Sequence, residues 1–588
     1  MSIKMSGLRS MDKAQETRPR TAAHYFLEGL EQLGVQRLFC NLGTDHAPLI
    51  EEMARWEQEG RSPPATILCP HENTAVHMAA GYAHATGKGQ VAVVHVDAGT
   101  SNAAMGLHNA YRARLPLMLL AGRAPYTMRG ELPGSRDVYV HFVQDPFDQA
   151  SVVRPYIKWE YTLPTGIVAK EALRRAKTVM ESDPKGPVYM MLPRETLSEE
   201  TAFKGDCGFS EEAYGPTPEG GADSELVDKL VDQVLAAESP LLITSYAGRN
   251  EECFEVMREF IEFTGTRAFE SNPLHACIPH DSACFSGHDA SSHVPHADLG
   301  LLIDVDVPWI PKHTEVSSST YWVHIDVDTV KEGFPMWGFP SHLRGRANSA
   351  YVLRQVLDEL RKRASLTYRE KAARRVEVLR DEAAKRRSAI QERAREPGQV
   401  NRLSAAHVLA VLNSLLDPED IVVNEAVRNA GTVLEQMPRI RAKSLVGLAG
   451  GGLGFSGGMA LGVRLARPER TVVNIVGDGA FYFNNPSSVY AVAKQYETPI
   501  FTVVLDNSGW AAVRHATLSM YPEGVARARD NFRSLLAPDM DFAGIGRAAG
   551  AYGEKLADPG EVSASMRRCL AAVRAGRSAV LHVRMAPI

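Results

Sequence analysis

The chain has 588 residues with 65 basic and 70 acidic side chains, a formal net charge of −5 at neutral pH. That length exceeds what one hydrophobic core organises, so two to four domains are expected, and the near-balanced charge argues against a generally nucleic-acid-binding surface. The seven cysteines form no CxxC pair, which argues against a zinc site or disulfide framework; with no signal-like start and no apolar run of about 18 residues, a cytoplasmic protein without membrane contact is expected.

Residues 1–18 are polar and mixed in charge and read as a loose arm. From 19 to 195, short apolar runs alternate with helical patterns. The run 91–96 reads as a buried strand, Asp97-Ala98-Gly99 as a turn, 101–113 as a helix and 115–120 as the next strand. This βαβ rhythm predicts a mostly parallel sheet covered by helices. A polar Gly/Pro-containing connection over 206–221 leads to a second α/β unit over 222–353, with strands expected at 240–244, 301–305 and 322–325. Residues 354–402 are dense in Arg, Lys, Glu and Ala with the two signs interleaved, which predicts an exposed helical linker rather than a basic binding helix. A third α/β unit is expected over 403–588, with Ser404 capping a helix and strands at 421–423, 471–476, 500–505 and 579–583. The first and third units are expected to share an architecture.

The strand at 471–476 delivers Gly477-Asp478-Gly479 at its carboxyl end, where open α/β sheets bind ligands. Glycines there let backbone amides approach phosphate oxygens, and Asp478 offers a hard oxygen to Mg2+. Alone, the tripeptide reads equally well as a structural turn. The strand at 500–505, however, ends in Asp506-Asn507-Ser508-Gly509, and the intervening stretch holds one crossover helix. Adjacent parallel strands then bring Asp478 and Asn507 within reach of one cation.

This arrangement resembles the thiamine diphosphate motif of the acetolactate synthase and pyruvate decarboxylase superfamily. The resemblance implies a three-domain α/β fold with parallel-sheet pyrimidine-binding, central and diphosphate-binding domains. It implies Mg2+ on Asp478, Asn507 and the Gly509 carbonyl, with Gly477 and Gly479 beside the diphosphate. In one departure, the first of the family's two consecutive asparagines is here Asp506. Cys69-Pro70-His71-Glu72 and the helical pattern running to Gly89 resemble the family's catalytic-glutamate segment, which makes Glu72 the partner of aminopyrimidine N1′. Gly99-Thr100-Ser101-Asn102, Trp322 to Asp328 and Gly451-Gly452-Leu453-Gly454 extend the resemblance over all three units. The last of these, Gly452 included, either approaches the cofactor or packs helix against sheet. Family spacing assigns the Gly431 carbonyl to the 4′-amino group. It assigns Val433, with Leu434 as substitute, to the bulky residue that bends the cofactor; packing is the competing reading.

Thr44-Asp45-His46 resembles the family's first active-site loop. His141 and Gln144 fall where decarboxylases use histidines and acetolactate synthases glutamine, so His46, His141 and Gln144 are the catalytic candidates beside Glu72. His95, in a predicted strand, reads at least as well as a core residue. Six positions beyond Asn507, where pyruvate-decarboxylase-like enzymes carry a glutamate, stands Val513, preceded by Ala512. That absence favours a carboligase of acetolactate synthase type, a transferase that decarboxylates a 2-oxo acid and passes the acyl unit to a second carbonyl. The alternatives are a 2-hydroxyacyl-CoA lyase, an oxalyl-CoA decarboxylase-like enzyme, or another lyase or hydrolase acting on a 2-hydroxyacyl or diketone substrate. The central unit has no GxGxxG fingerprint, so FAD or ADP near Gly248, Arg249, Asp326 and Asp328 stays open. The resemblance further implies a homodimer, or a tetramer of dimers, with each cofactor held between Glu72 of one chain and Asp478 of the other.

Overall fold

The computed structural model describes residues 19–201 and 208–588, so the arm 1–18 and the start of the 206–221 connection lie outside the described residues. Three parallel sheets follow one another along the chain. The first holds β1 (Arg37–Asn41), β2 (Ala65–Leu68), β3 (Gln90–Val94), β4 (Leu117–Arg123), β5 (Glu160–Thr162) and β6 (Val188–Pro193). The second holds β7 (Pro240–Thr244), β8 (Arg267–Glu270), β9 (Leu299–Ile303), β10 (Tyr321–Asp326) and β11 (Leu343–Arg346). The third holds β12 (Ile421–Glu425), β13 (Leu445–Val446), β14 (Val472–Gly477), β15 (Phe501–Asp506), β16 (Tyr552–Leu556) and β17 (Ala579–Arg584). The first sheet runs β2-β1-β3-β4-β6-β5 and the third β13-β12-β14-β15-β17-β16, the same order twice. The shared architecture expected of these units is therefore present. Strands such as β4 and β15 are apolar and buried along their length because helices cover both faces.

Six helices matter for the site: α1 (Glu72–Thr86), α2 (Val96–Arg112), α3 (Ser349–Arg363), α4 (Leu366–Ala394), α5 (Ala430–Gln436) and α6 (Ser456–Ala466). His71 caps α1 by accepting the Asn73 N–H at 3.1 Å, and Gly87 ends it at φ +70°. The structure corrects the expected turn at Asp97-Ala98-Gly99, which is instead the first turn of α2. Glycine is used there because a Cβ at Gly99 would stand 3.1 Å from Val94 Cβ and 3.4 Å from Glu72 Oε1. The linker is two helices, broken where Ser365 accepts the Tyr368 N–H and so caps α4.

Helices α1 and α6 join the first and third units. A Cβ on Gly462 would lie 1.9 Å from the Met78 carbonyl oxygen, and one on Gly81 2.2 Å from that of Met459. The two backbones therefore touch, and Val76, Ala79, Ala460 and Val463 belong to one continuous buried cluster. The central unit keeps a separate core around Leu242, Phe260 and Leu353. Among the described residues, no helix is long and apolar enough to cross a membrane.

Candidate active site

Strands β14 and β15 pair in parallel with Gly477 opposite Leu505, which sets Asp478 beside Asp506-Asn507 at the carboxyl end of the third sheet. Asp478 is buried, with Oδ1 accepting the Gly479 N–H at 2.8 Å and Oδ2 the Gly509 N–H at 2.9 Å. Burial and the neighbouring Asp506 charge push its carboxyl up to about 7. Asp506 goes the other way: against the penalty of burial, the hydrogen bond from His582 at 2.6 Å, the Ser508 N–H and Arg584 hold it down at about 2. Asp478, buried and short of positive partners, offers an oxygen that suits a divalent cation, whereas Asp506 is already committed to His582 and Arg584.

A cavity of about 210 Å3 opens over this point. Every described residue lining it lies between 426 and 513, and Asp478 and Arg428 are its only ionisable members. Gly477, Gly479, Asn507, Gly509 and Leu453 border it, as do Trp510, Ala511, Ala512 and Val513. The predicted apolar wall is thus part of the same space as the predicted metal residues.

Not every expected cofactor residue borders this cavity. Val433 does not border this cavity; it sits on α5 in a core with Val422, Leu445 and Leu581. Gly431 lines a different cavity, between α4, α5 and the central unit. Leu453, inside the glycine run, is among the apolar side chains that line the cavity over Asp478. Gly452 uses both its backbone groups on Asn109 of α2, accepting from Nδ2 at 2.9 Å and donating to Oδ1 at 3.2 Å. A Cβ there would reach Met105 Sδ at 2.3 Å, so this glycine serves the packing of the loop on α2.

Glu425 holds that loop and was not singled out from the sequence. Fully buried at the end of β12, it accepts from the N–H groups of Gly454, Phe455 and Ser456, from Ser456 Oγ and from Asn484 Nδ2. An acid directly after an apolar strand was the available signal, but it reads the same as an ordinary solvated strand end. Arg428, three residues beyond the strand, was missed too; it is an exposed cation on the cavity wall.

Glu72 opens α1 at the carboxyl end of the first sheet, where its Oε2 accepts from Asn102 Nδ2 at 3.0 Å. It does not border the cavity over Asp478. Beside it, the other first-unit candidates separate. His46 is fully buried, and its Nδ1 accepts the Gly43 N–H at 3.0 Å. His141 is 3% exposed against Thr44 and Arg194. Burial lowers both imidazoles below their ordinary range. These two are buried, whereas Gln144 is half-buried. His95 follows β3 rather than lying in it, and pairs with Asp45 on one ring nitrogen and with Gln144 on the other.

Two further clusters of titratable side chains lie in the central unit. In the central unit, Glu270, His280 and His288 bring three potential ligand atoms together. His280 Nδ1, however, accepts the Arg439 N–H at 3.0 Å, so its ring proton resides on Nε2 and is donated to Glu270 at 2.9 Å. That nitrogen is not available to a metal, and the grouping ties the central unit to the third. At the carboxyl end of the central sheet, buried Lys331 contacts Asp306 at 2.8 Å and Asp326 at 2.7 Å, and Arg114 adds a two-pronged pair to Asp306. These acids neutralise the protein's own cations, so Asp326 does not present a free carboxylate to the ribose of FAD or ADP.

Comparison with known proteins agrees with this geometry. Residues 20–152 match the family described as thiamine pyrophosphate enzyme, N-terminal TPP binding domain, and residues 434–583 its C-terminal TPP binding domain counterpart. The chain is 24% identical over 541 residues to acetolactate synthase isozyme 3 large subunit of Escherichia coli, covering 88% of this chain and 87% of the relative. It is 24% identical over 568 residues to benzoylformate decarboxylase of Pseudomonas aeruginosa, covering 93% and 96%. The solved structure of the thiamine diphosphate-dependent 4-hydroxybenzoylformate decarboxylase of Rhodococcus jostii RHA1 superposes with a TM-score of 0.76 at 19% identity, covering 97% of this chain and all of that one. With the twin parallel sheets and the glycine-rich strand ends, these matches make the chain a thiamine diphosphate-dependent carbon–carbon bond enzyme of the acetolactate synthase and decarboxylase superfamily.

Proposed function

We propose that the protein is a carboligase that decarboxylates a 2-oxo acid and passes the acyl unit to a second carbonyl compound. The supporting observation is the wall made by Trp510, Ala511, Ala512 and Val513, which leaves Asp478 as the only acid among the described residues around the cavity. Release of a free aldehyde needs a proton donor at that wall, whereas transfer needs space and dryness. Asp478, Asn507 and the Gly509 carbonyl would hold Mg2+; Gly477 and Gly479 would border the diphosphate, with Arg428 as a further cation for it. When bound, thiamine diphosphate supplies the nucleophilic carbon and the electron sink. Glu72 would hold a proton against pyrimidine N1′, and Leu453 would support the bend between the two rings.

The working unit in this reading is a homodimer. The cavity is lined by the third unit alone, and Glu72 stands apart from it. Tyr139 and Phe147, beyond β4, and Met520, Tyr521 and Leu535, beyond β15, are large apolar side chains left exposed at the sheet ends. A second copy would cover such patches. The acyl-CoA alternative has one observation in its favour: a cavity of about 460 Å3 between the first and central units, bordered by Arg112, Lys158, Lys185 and Arg346. Product analysis decides between the readings. With pyruvate and a set of aldehyde and 2-oxo acid acceptors, carboligation products are expected to dominate. Aldehyde as the sole product would overturn the carboligase reading, and turnover of acyl-CoA thioesters alone would establish the alternative.

A further inference from the structure

We propose that Asp45 and His95 are positioning residues that turn the side-chain amide of Gln144 so that its NH2 group faces the substrate. The argument starts from Asp45, whose ionised carboxylate accepts hydrogen bonds only, so the His95 Nδ1 that contacts its Oδ1 carries a proton. The pair has no room to rearrange. A Cβ on Gly122 would stand 1.1 Å from Asp45 Oδ2, and one on Gly43 2.0 Å from His95 Nδ1. Two glycines thus make the slot in which the pair is held, and Asp45 is 1% exposed within it.

The second ring nitrogen of His95 meets Gln144 Oε1 at 3.0 Å. A histidine protonated on both nitrogens donates to that oxygen, which leaves the amide NH2 of Gln144 directed away from the ring. A neutral ring would instead present a lone pair at Nε2, attract the NH2 and turn the carbonyl outward. The charge on His95 therefore selects which end of the amide a substrate meets. Asp45, His46, Asp97, His141 and Gln144 surround it, together with the positive end of α2, which opposes a cation. The hydrogen bond that His95 donates to Asp45 prevails over burial and raises the imidazole above its ordinary range.

The relay also stands in the right place. The Gly99 N–H donates to the His95 carbonyl at 2.8 Å, and Gly99 lies against the Glu72 carboxylate. One helical turn, about 6 Å, thus separates the relay from the residue read as addressing the cofactor. A 2-oxo acid offers only acceptor oxygens, which an outward NH2 complements and an outward carbonyl repels. The substrate half of this inference rests on the 2-oxo acid reading above; the relay itself does not.

The test uses full-length protein labelled with 15N-histidine, alone and as the holoenzyme. At pH 7 both nitrogens of His95 are expected to be protonated, and Asp45→Asn is expected to lower the titration midpoint by about one unit. Gln144→Glu can still accept from His95 but has no NH2, so it should keep the imidazole signals. With pyruvate and phenylglyoxylate as probes, both variants are expected to raise KM about tenfold with a much smaller change in kcat. The wild-type KM should rise as pH climbs through the His95 midpoint, while calorimetric affinity for thiamine diphosphate with Mg2+ stays unchanged in all forms. A bare Nε2 on His95 at pH 7 would overturn the relay, as would an unchanged KM and pH profile in Gln144→Glu, which decides the matter even if Asp45→Asn folds poorly. If neither acid is turned over, the functional reading fails while the imidazole signals still judge the relay.

Discussion

Glu425→Gln is expected to loosen the glycine loop over the cofactor cavity without removing any atom of bulk. The carboxylate accepts from five donors: the backbone N–H groups of Gly454, Phe455 and Ser456, the Ser456 hydroxyl and the Asn484 amide. An amide has only one accepting end. In its better orientation it keeps Ser456 and Asn484 and turns its NH2 on Gly454 and Phe455, leaving two buried N–H groups facing a donor. Each such group costs about 1–3 kcal/mol, so the local loss is roughly 2–6 kcal/mol before relaxation. A loss of 2 kcal/mol already means an opening constant about 30-fold larger. The three-unit chain need not unfold in one step, so the assay is local: hydrogen exchange of peptides covering 450–460, with calorimetric affinity for thiamine diphosphate and Mg2+. Faster exchange by at least that factor and weaker cofactor binding are expected. Unchanged exchange and affinity would refute Glu425 as the anchor of the loop.

Two other perturbations follow from the α1–α6 junction. His77 is fully buried there as the neutral tautomer, with Nδ1–H donating to the Asn73 carbonyl at 2.9 Å and Nε2 accepting from Asn109 at 3.1 Å. Burial pushes its imidazole from 6.5 down to about 4. A base whose folded value lies below its unfolded one contributes fully above the unfolded value and loses that contribution as pH falls from 6.5 towards 4. The difference is worth at most about 3 kcal/mol; urea midpoints at pH 7 and 4.5 should show a smaller acid loss for His77→Gln, and an identical loss would exclude His77 as its source. Gly462→Ala sets two effects against each other, a helix-propensity gain of about 1 kcal/mol and overpacking of about 1–3 kcal/mol. With the new Cβ 1.9 Å from the Met78 backbone oxygen, overpacking should win and the thermal midpoint should fall, so a rise would contradict the close contact.

The parts of the site visible in the sequence are those where local pattern and backbone need coincide. Gly477-Asp478-Gly479 and Asn507 follow apolar runs that become β14 and β15, so their adjacency follows from strand order alone. Val433 and Gly431 rest on a residue count back from the glycine turn, and no strand end or apolar run marks them in the sequence. Leu453 lies between Gly452 and Gly454, where the glycine pattern draws attention to the backbone rather than to the side chain. His95 reads as a core residue because the apolar run 91–96 includes it, whereas β3 ends at Val94, one residue earlier. His46 and His141 show the converse, polar residues whose family-like positions are buried under the loop by contacts no motif encodes. Glu425 and Asp45 are buried acids that only three-dimensional contacts distinguish from exposed ones.

The central claim is that this chain uses thiamine diphosphate at a site completed by a second copy, Glu72 from one and Asp478 from the other. Its most direct test mixes Glu72→Gln chains with Asp478→Ala chains, each inactive alone, under conditions that exchange subunits. A heterodimer would rebuild one intact site and leave one doubly defective site, so activity approaching one site per heterodimer is expected, together with recovered Mg2+-dependent cofactor retention at that site. Absence of both, in heterodimers verified as folded, would contradict the shared site and place both cofactor ends within one subunit.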